Sequence, residues 1–527
     1  MANYIFVTGG VISGLGKGVT SASIGAILQM MGETKVMIKK LDPYLNIDPG
    51  TMNPMEHGEV FITRDGNETD LDLGYYERFL GIDMNHYNST SSGKLYQKLL
   101  NKEREGGYLG KTVQMIPHFT DIIKEYICYK SEEYDYIICE IGGSSGDIEA
   151  MAFYEAIRQL KYDLGDDRVM FIHLTYLIYY SITKELKTKP TQNAIRELQQ
   201  KGIFPEILIC RSENEISEDV KNKLSMYTNL SKNHIINAQD VNSIYEVPLR
   251  FIEEGVNEIL SEKFCIGSEI NVSKWDGLNK RIVSLKDSIT IGILGKYVKL
   301  NDAYKSLLEA IYHSGIRNNY LVNIEWLDAR SENISQNQLD NIQGVIIPGG
   351  FGETGIENMI QKIYEIRLRG IPTLGICLGM QLMVIEYLRN VCGCEGVGSS
   401  EFNNNGRNAI IRMNNENIIG GTMRLGDYEI ELKEDSLIYS IYSMDRIMER
   451  HRHRYMVDEE YVSELEKYKM NISGLSSDKI IEVIELDKGV HNWYIGCQYH
   501  PEFNSSPFEP HPLFLSYINE CLKKKVQ

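Results

Sequence analysis

Short apolar runs alternate with longer amphipathic stretches through the first half of the chain. YIFVTGG reads as a strand ending in glycines, SASIGAILQMMG as a helix and VMIKKLDP as a second strand. YDYIICEIGG, RVMFIHLTYL and EILICRS repeat the strand pattern, each β-rich run closing at a loop. Strands separated by helix-length segments predict βαβ units, hence a parallel sheet covered by helices. Around residues 264–287 the pattern turns polar and irregular (FCIGSEINVSKWDGLNKRIVSLKD), which predicts a linker. A second alternation follows in SITIGILGKY, GVIIPGG, PTLGICLGM and WYIGCQYHPE. The expected fold class is α/β, with two doubly wound parallel-sheet domains over residues 1–265 and 288–527 and a linker at 266–287. The asparagine-rich stretch EFNNNGRNAIIRMNNEN is expected to be a surface loop or hairpin.

Composition narrows the function classes. The 527 residues exceed one hydrophobic core at about 150 residues per domain. A 43% hydrophobic, 24% charged chain excludes a mainly disordered protein. The 73 acidic against 55 basic residues give a net charge of -18, which argues against nucleic acid or an anionic membrane as partner. The longest uncharged run, residues 169–183, is too short to suggest a membrane span. Nine scattered cysteines without a pairing framework suggest reduced thiols and a cytoplasmic protein.

Gly9 to Gly18 (GGVISGLGKG) follows a strand and opens a helix. Glycines let backbone N–H groups approach phosphate oxygens, the helix N-terminus adds positive potential, and Lys17 can reach terminal phosphates. The run has one residue more than a strict P-loop, and Gly18 replaces the hydroxyl residue, so Mg²⁺ must rely on other oxygens. Asp70 and Asp72, two apart and facing the same way if extended, and Glu140 at a strand end are the acidic candidates. Lys187 to Gln192 (KTKPTQ) is a second phosphate candidate, with two lysines and two hydroxyls in a proline-punctuated loop.

Gly375-Ile376-Cys377-Leu378-Gly379 ends a β-run and precedes a helix, the nucleophile-elbow arrangement with cysteine in place of serine. The helix N-terminus favours negative charge at the sulfur and supplies a backbone donor for an oxyanion. His500 is the candidate base and Glu502 its orienter, giving a Cys–His–Glu set. Gly349 to Gly352, after GVIIP, would supply the other oxyanion N–H.

These motifs, with KKLDPYLNIDPGTMNPMEHGEVF, DGNETDLDLGYYERF, EIGGSSGDIE, GKYVKLNDAYKS, GGTMRLG and ERHRHRY, resemble the CTP synthase family over nearly the whole chain. The resemblance implies a synthetase domain akin to P-loop biotin-pathway ligases, then a class I glutamine amidotransferase domain. It implies amination of UTP to CTP with ATP as co-substrate, glutamine as nitrogen source and a 4-phosphorylated UTP intermediate. Gly14, Leu15, Gly16, Lys17, Gly18, Val19, Lys40 and Asp72 would bind ATP, with Asp72 and Glu140 holding Mg²⁺. Ser13, Asp147, Ile148, Glu149, Lys187, Thr188, Lys189, Pro190, Thr191, Gln192 and Lys223 would bind UTP or the feedback inhibitor CTP. Cys377, His500 and Glu502 would form the glutaminase triad, and Gly350, Leu378, Gly379, Met380, Gln381, Glu401 and Arg454 would bind glutamine. An internal ammonia passage gated by His57, GTP activation involving Arg424, a homotetramer and filaments are further implications. Thr354 stands where the family usually carries arginine. Two alternatives are weaker: a corrinoid amidase of cobyric acid type, against which KTKPTQ and GGSSGDIE count, and a ParA-like ATPase switch or filament protein with an inert glutaminase domain, against which the complete Cys–His–Glu set weighs.

Overall fold

A computed structural model describes residues 2–526 apart from Ser13, Lys299, 332–335, 403–406 and 414–421. The chain divides into two compact units: Met1–Asp48 with Asp72–Lys280, and Pro49–Leu71 with Arg281–Gln527.

The main sheet of the first unit has seven strands among the described residues: β1 (Asn3–Gly9), β2 (Val36–Asp42), β3 (Ser89–Ser91), β4 (Tyr136–Ile141), β5 (Val169–Tyr176), β6 (Ile207–Ser212) and β7 (Ile235–Gln239). All pair in parallel in the order β7-β6-β5-β1-β4-β2-β3. β2 and β4 are buried along their whole length, as a sheet covered on both faces requires. Helix α1 (Lys17–Met31) follows β1 and is nearly all buried, which explains its small residues Ser21, Ala22, Ser23 and Gly25. A Cβ on Gly25 would lie 2.9 Å from Leu80 Cδ2. β1 sits mid-sheet between β4 and β5, so its carboxyl end opens into the crevice where such sheets bind ligands.

The main sheet of the second unit has nine strands among the described residues: β8 (Ser288–Gly295), β9 (Leu321–Asp328), β10 (Gly344–Ile347), β11 (Thr373–Ile376), β12 (Arg424–Leu432), β13 (Arg446–His453), β14 (Met470–Ser476), β15 (Ile481–Leu486) and β16 (Tyr494–Cys497). Their order is β9-β8-β10-β11-β16-β15-β14-β12-β13. The first five are parallel and the last four continue antiparallel. Apolar layers fill both faces.

Three expectations change. Residues 49–71, expected in the first domain, cluster with the second unit. Their hairpin (Val60–Ile62 with Glu68–Asp70) sets Phe61 against Phe503 at 5.0 Å, takes an Arg450 hydrogen bond at Ile62 O (3.0 Å) and pairs Glu68 with Arg452 at 3.1 Å. The expected linker holds the helix Ser273–Ser284, because Trp275 and Leu278, one turn apart, are buried and Trp275 packs on Phe79. The asparagine-rich stretch contains the strand Asn408–Arg412, paired with Gly398–Ser399 and Tyr455–Val457; 403–406 and 414–421 lie outside the described residues.

Candidate functional site

In the first unit the β1–α1 turn folds as a glycine-dependent loop. Gly14 (φ +70) and Gly16 (φ +91) take left-handed conformations that side chains disfavour. Val11 adopts φ +82, a strained setting for a β-branched residue and of the kind found at ligand clamps. Lys17 opens α1, buried, with its Nζ donating to Gly143 O at 2.6 Å; burial pushes its pKa down. Gly18 stands where a strict P-loop has a hydroxyl, and a Cβ there would fall 2.0 Å from Asp72 Oδ1. The missing side chain is thus the space that the carboxylate occupies.

The acidic groups converge on Lys40. β2 and β4 are in register at Lys40 and Glu140, and Lys40 Nζ lies 2.8 Å from Glu140 Oε1 and 3.7 Å from Asp42 Oδ1. Asp72, at the start of the helix Asp72–Leu80, makes a close ion pair with the same ammonium. Burial works against the Lys40 charge, but Asp72, Glu140 and Asp42 overcome it and raise the pKa well above its usual value. Tyr76 donates to Glu140 Oε2 at 2.5 Å. Three carboxylates around one ammonium leave an excess of hard oxygen donors, which fits Mg²⁺. Asp70 is not among them: it pairs with His57 at 2.8 Å in the second unit, because the chain turns from strand to helix between Asp70 and Asp72.

Of the remaining nucleotide candidates, those in the turn after β4 and in the helix 189–200 lie near the same loop. Asp147 accepts from Ser144 N (2.6 Å) and Oγ (2.8 Å) in the turn after β4, with Ile148 and Glu149 exposed. Helix α2 (Lys189–Gln200) flanks both segments: Ala194 lies 2.7 Å from where a Gly10 Cβ would be, and Glu197 3.3 Å from a Gly146 Cβ. Thr191 bonds Thr175 (3.0 Å) and Gln192 bonds Thr188 (3.0 Å), so these three face inward while Lys189 is exposed. Lys187 pairs with Glu185, whose carboxyl is held below its usual range by Lys187 first, with Lys223 adding to it. Ser13 lies outside the described residues. Sequence reasoning missed a cavity of about 340 Å³ beside Leu15, Gly16 and Val19, walled by Arg211, Asp240 and Phe251. Arg211 bridges it, donating to Leu15 O (3.2 Å) and Asp240 Oδ1 (2.8 Å). The available signal was an Arg-Ser pair at the carboxyl end of a parallel strand.

In the second unit three adjacent carboxyl ends meet: β10 leads to Gly349 and Gly350, β11 to Cys377, β16 to His500 and Glu502. Cys377 has φ +53 and ψ −106, a strained elbow before helix α3 (Leu378–Asn390). Its neighbours must be glycine: a Cβ on Gly379 would fall 1.9 Å from Ile347 O, and one on Gly375 2.2 Å from Met383 Sδ. His500 Nδ1 bonds Glu502 Oε1 at 2.7 Å. Burial lowers the ring's proton affinity, but Glu502 and then Cys377 reverse this and raise its pKa to about 10. A Gly349 Cβ would lie 2.9 Å from His500 Cε1 and 3.6 Å from Cys377 Cβ, so the glycine loop, the sulfur and the ring share one space. That space is a cavity of about 60 Å³ that Pro54, Glu59 and Val60 also line. Gln381 is anchored to Gln498 (3.0 Å) and Tyr455 O (3.2 Å), Leu378, Gly379 and Met380 are buried in α3, Glu401 accepts from Gly352 N–H (2.8 Å), and Arg454 lies over the Phe351 ring.

Such a set can attack an amide, hold the oxyanion and protonate an amine leaving group. The solved glutaminase domain of Trypanosoma brucei CTPS with bound acivicin is 31% identical across 45% of this chain and 94% of its own, with a TM-score of 0.42. Residues 3–266 match the family described as CTP synthase N-terminus, and residues 299–520 that described as glutamine amidotransferase class-I. A CTP synthase of Hydrogenobaculum sp. (strain Y04AAS1) is 50% identical over 531 residues, covering 99% of this chain and 98% of its own length. One of Aquifex aeolicus (strain VF5) is 47% identical over 531 residues, covering 100% and 99%. The chain belongs to the CTP synthase family. Its substrates are therefore UTP, ATP and glutamine, and it is a glutamine-hydrolysing ligase. A full-length match of this kind disfavours the corrinoid amidase.

Two further placements bear on CTP synthase chemistry. Arg424 is buried on the Tyr428 ring (3.8 Å) and paired with Asp478 (3.2 Å) and Glu482 (3.4 Å). Glu482 also belongs, with His451 and His453, to the one group of described residues spaced to hold a metal. With Arg424 against its single carboxylate, a divalent ion there would leave uncompensated buried charge, so the group reads as a charge cluster. Among the described residues no helix is long and apolar enough to cross a membrane.

Proposed function

We propose that Cys377, His500 and Glu502 form the glutaminase centre and that the crevice of the first unit is the amination site for UTP. The observation that carries this is the meeting of the Gly350 loop, the strained Cys377 elbow and the 2.7 Å His500–Glu502 pair at three neighbouring strand ends. Cys377 Sγ attacks the glutamine amide carbon, with Gly350 and Leu378 N–H groups receiving the oxyanion. His500 gives its proton to the departing ammonia, and water then releases glutamate from the thioester. Leu378 to Gln381 shape the pocket wall, Glu401 takes the α-ammonium and Arg454 the α-carboxylate of glutamine.

At the first site the glycine loop (Gly14 to Val19), Lys17 and Lys40 hold the ATP phosphates. Ser13, Asp147 to Glu149, Lys187 to Gln192 and Lys223 hold UTP or the inhibitor CTP. The cavity beside Arg211 suits a nucleoside base. The γ-phosphoryl group passes to the UTP 4-oxygen; ammonia then attacks C4 and phosphate leaves with that oxygen. Asp72 and Glu140 would hold Mg²⁺, which supplies charge neutralisation for the two triphosphates. Pro54 and Val60, which wall the Cys377 cavity, support an ammonia exit on that side, with His57, hydrogen-bonded to Asp70, as its gate. The family resemblance supports residues 1–265 as synthetase and 288–527 as amidotransferase. It also supports a cytoplasmic homotetramer able to form filaments, CTP feedback and GTP activation involving Arg424.

The test supplies purified protein with UTP, ATP, Mg²⁺ and either ammonium or glutamine, and follows CTP by chromatography. CTP from both nitrogen sources, with Cys377→Ala abolishing only the glutamine route, is the expected result. Absence of CTP with ammonium would overturn the synthetase assignment and bring a corrinoid substrate forward.

A further inference from the structure

Lys296, just past the end of β8, is a buried lysine that the glutaminase chemistry leaves without a role. Only 6% exposed, it has no carboxylate within ion-pair distance among the described residues. Burial pushes its pKa down to about 8, against the charge of Glu401 nearby, so burial opposes keeping an ammonium here. Among the described residues, the hydrogen bonds of its ammonium all go to one place. Nζ donates to Phe351 O at 3.3 Å and makes a closer bond to Gly352 O. Its stem packs on the same loop, with Cδ 3.7 Å from where a Gly350 Cβ would be.

The other side of the loop is also held. Glu401 Oε1 accepts from Gly352 N–H at 2.8 Å, and the Phe351 ring lies under the Arg452 and Arg454 guanidinium groups at 5.0 and 5.8 Å. A cation therefore grips the loop carbonyls while an anion grips its N–H. Glu401 and Arg454 are the groups proposed above for the two charged ends of glutamine. The α-ammonium of glutamine adds a second donor to Glu401, whose Oε1 already accepts from Gly352 N–H, while each loop carbonyl has two lone pairs and can keep its bond to Lys296 when another donor arrives. Once substrate is bound, Lys296 is the restraint that stays.

We propose that Lys296 is a positioning residue for glutamine hydrolysis, holding the Phe351 and Gly352 carbonyls so that Gly350 keeps its place beside Cys377 when Glu401 is shared between the loop and glutamine. This rests on the glutaminase reading above. It acts through the loop and not on the sulfur, so it affects the step that develops an oxyanion and leaves simple thiol chemistry alone.

The experiment compares wild type, Lys296→Met and Lys296→Arg in the full chain. It measures glutamate release from glutamine, CTP formation from ammonium, and alkylation of Cys377 by iodoacetamide, which needs no oxyanion donor. Lys296→Met is expected to lower kcat for glutamine about 100-fold with KM changed less than about threefold, as for loss of an oxyanion contact. Alkylation and the ammonium route should stay within about twofold of wild type, and Lys296→Arg should recover at least about tenfold of the lost kcat. An unchanged kcat overturns the proposal. So does a KM increase alone, which would make Lys296 a binding group, and so does a parallel loss of alkylation, which would make it merely structural. If wild type releases no glutamate while Cys377 is readily alkylated, the glutaminase reading itself has failed, and the proposal with it.

Discussion

Replacing Glu502 with glutamine isolates the electrostatic half of the His500–Glu502 pair, because the amide keeps the shape and can still accept from Nδ1. The rise of His500 from 6.5 to about 10 corresponds to about 5 kcal/mol of preference for the charged ring, at about 1.4 kcal/mol per pH unit. Burial works against that preference, and Glu502 is the largest group in its favour. Without the carboxylate, burial opposes the charged ring with Cys377 alone in its favour, so less of the ring carries a proton for the departing ammonia. Glutamine-supported CTP formation should fall about 1,000-fold, or about 4 kcal/mol of barrier. On the proposed function the ammonium route does not use Cys377, His500 or Glu502, and it should stay within about twofold. Stability offers a second readout. The folded ring binds its proton more tightly than the unfolded ring, so its contribution is complete below pH 6.5 and is lost as pH rises to about 10. Denaturant unfolding of wild type from pH 6 to 10 should show that decline, and Glu502→Gln should flatten it. A glutamine rate within tenfold of wild type, or an equal loss of both routes, would refute the reasoning.

Three further outcomes follow from buried groups. Lys40→Met leaves Asp42, Asp72 and Glu140 facing one another, which should cost about 3–5 kcal/mol and lower the melting temperature by ~10 °C, with added Mg²⁺ stabilising the variant more than wild type; thermal melts with and without Mg²⁺ read this, and a loss below ~2 °C contradicts it. Arg367 donates twice to the fully buried Glu386 at 2.9 and 2.8 Å, so Arg367→Met should cost about 3–5 kcal/mol while the double change to methionine recovers most of it, a comparison for denaturant titration. Gly379→Ala puts a methyl 1.9 Å from Ile347 O, which forces β10 and α3 apart; a lower melting temperature and lost glutamate release are expected, and a variant with both intact would show that the elbow tolerates a side chain.

Local rules carried much of this protein into view. Alternating strand and helix patterns implied two α/β sheets, because periodicity depends only on which faces are covered. The GGVISGLGKG and GICLG turns were legible because glycine at a positive φ or a close approach leaves a mark on the sequence itself. Partnerships between distant residues leave no such mark. Asp70 and Asp72 look like one pair in the chain, yet one turns to His57 and the other to Lys40, since a strand ends and a helix begins between them. Residues 49–71 join the second unit through Phe61, Arg450 and the Glu68–Arg452 pair, contacts 384 or more positions apart that no local pattern announces. Arg211 and Lys296 sit in recognisable runs, yet each draws its meaning from loops reached only when the sheets are assembled. The sequence alone determined which turns are strained and which side chains can do chemistry; the tertiary structure decided which of them meet, because burial and charge act across space and not along the chain.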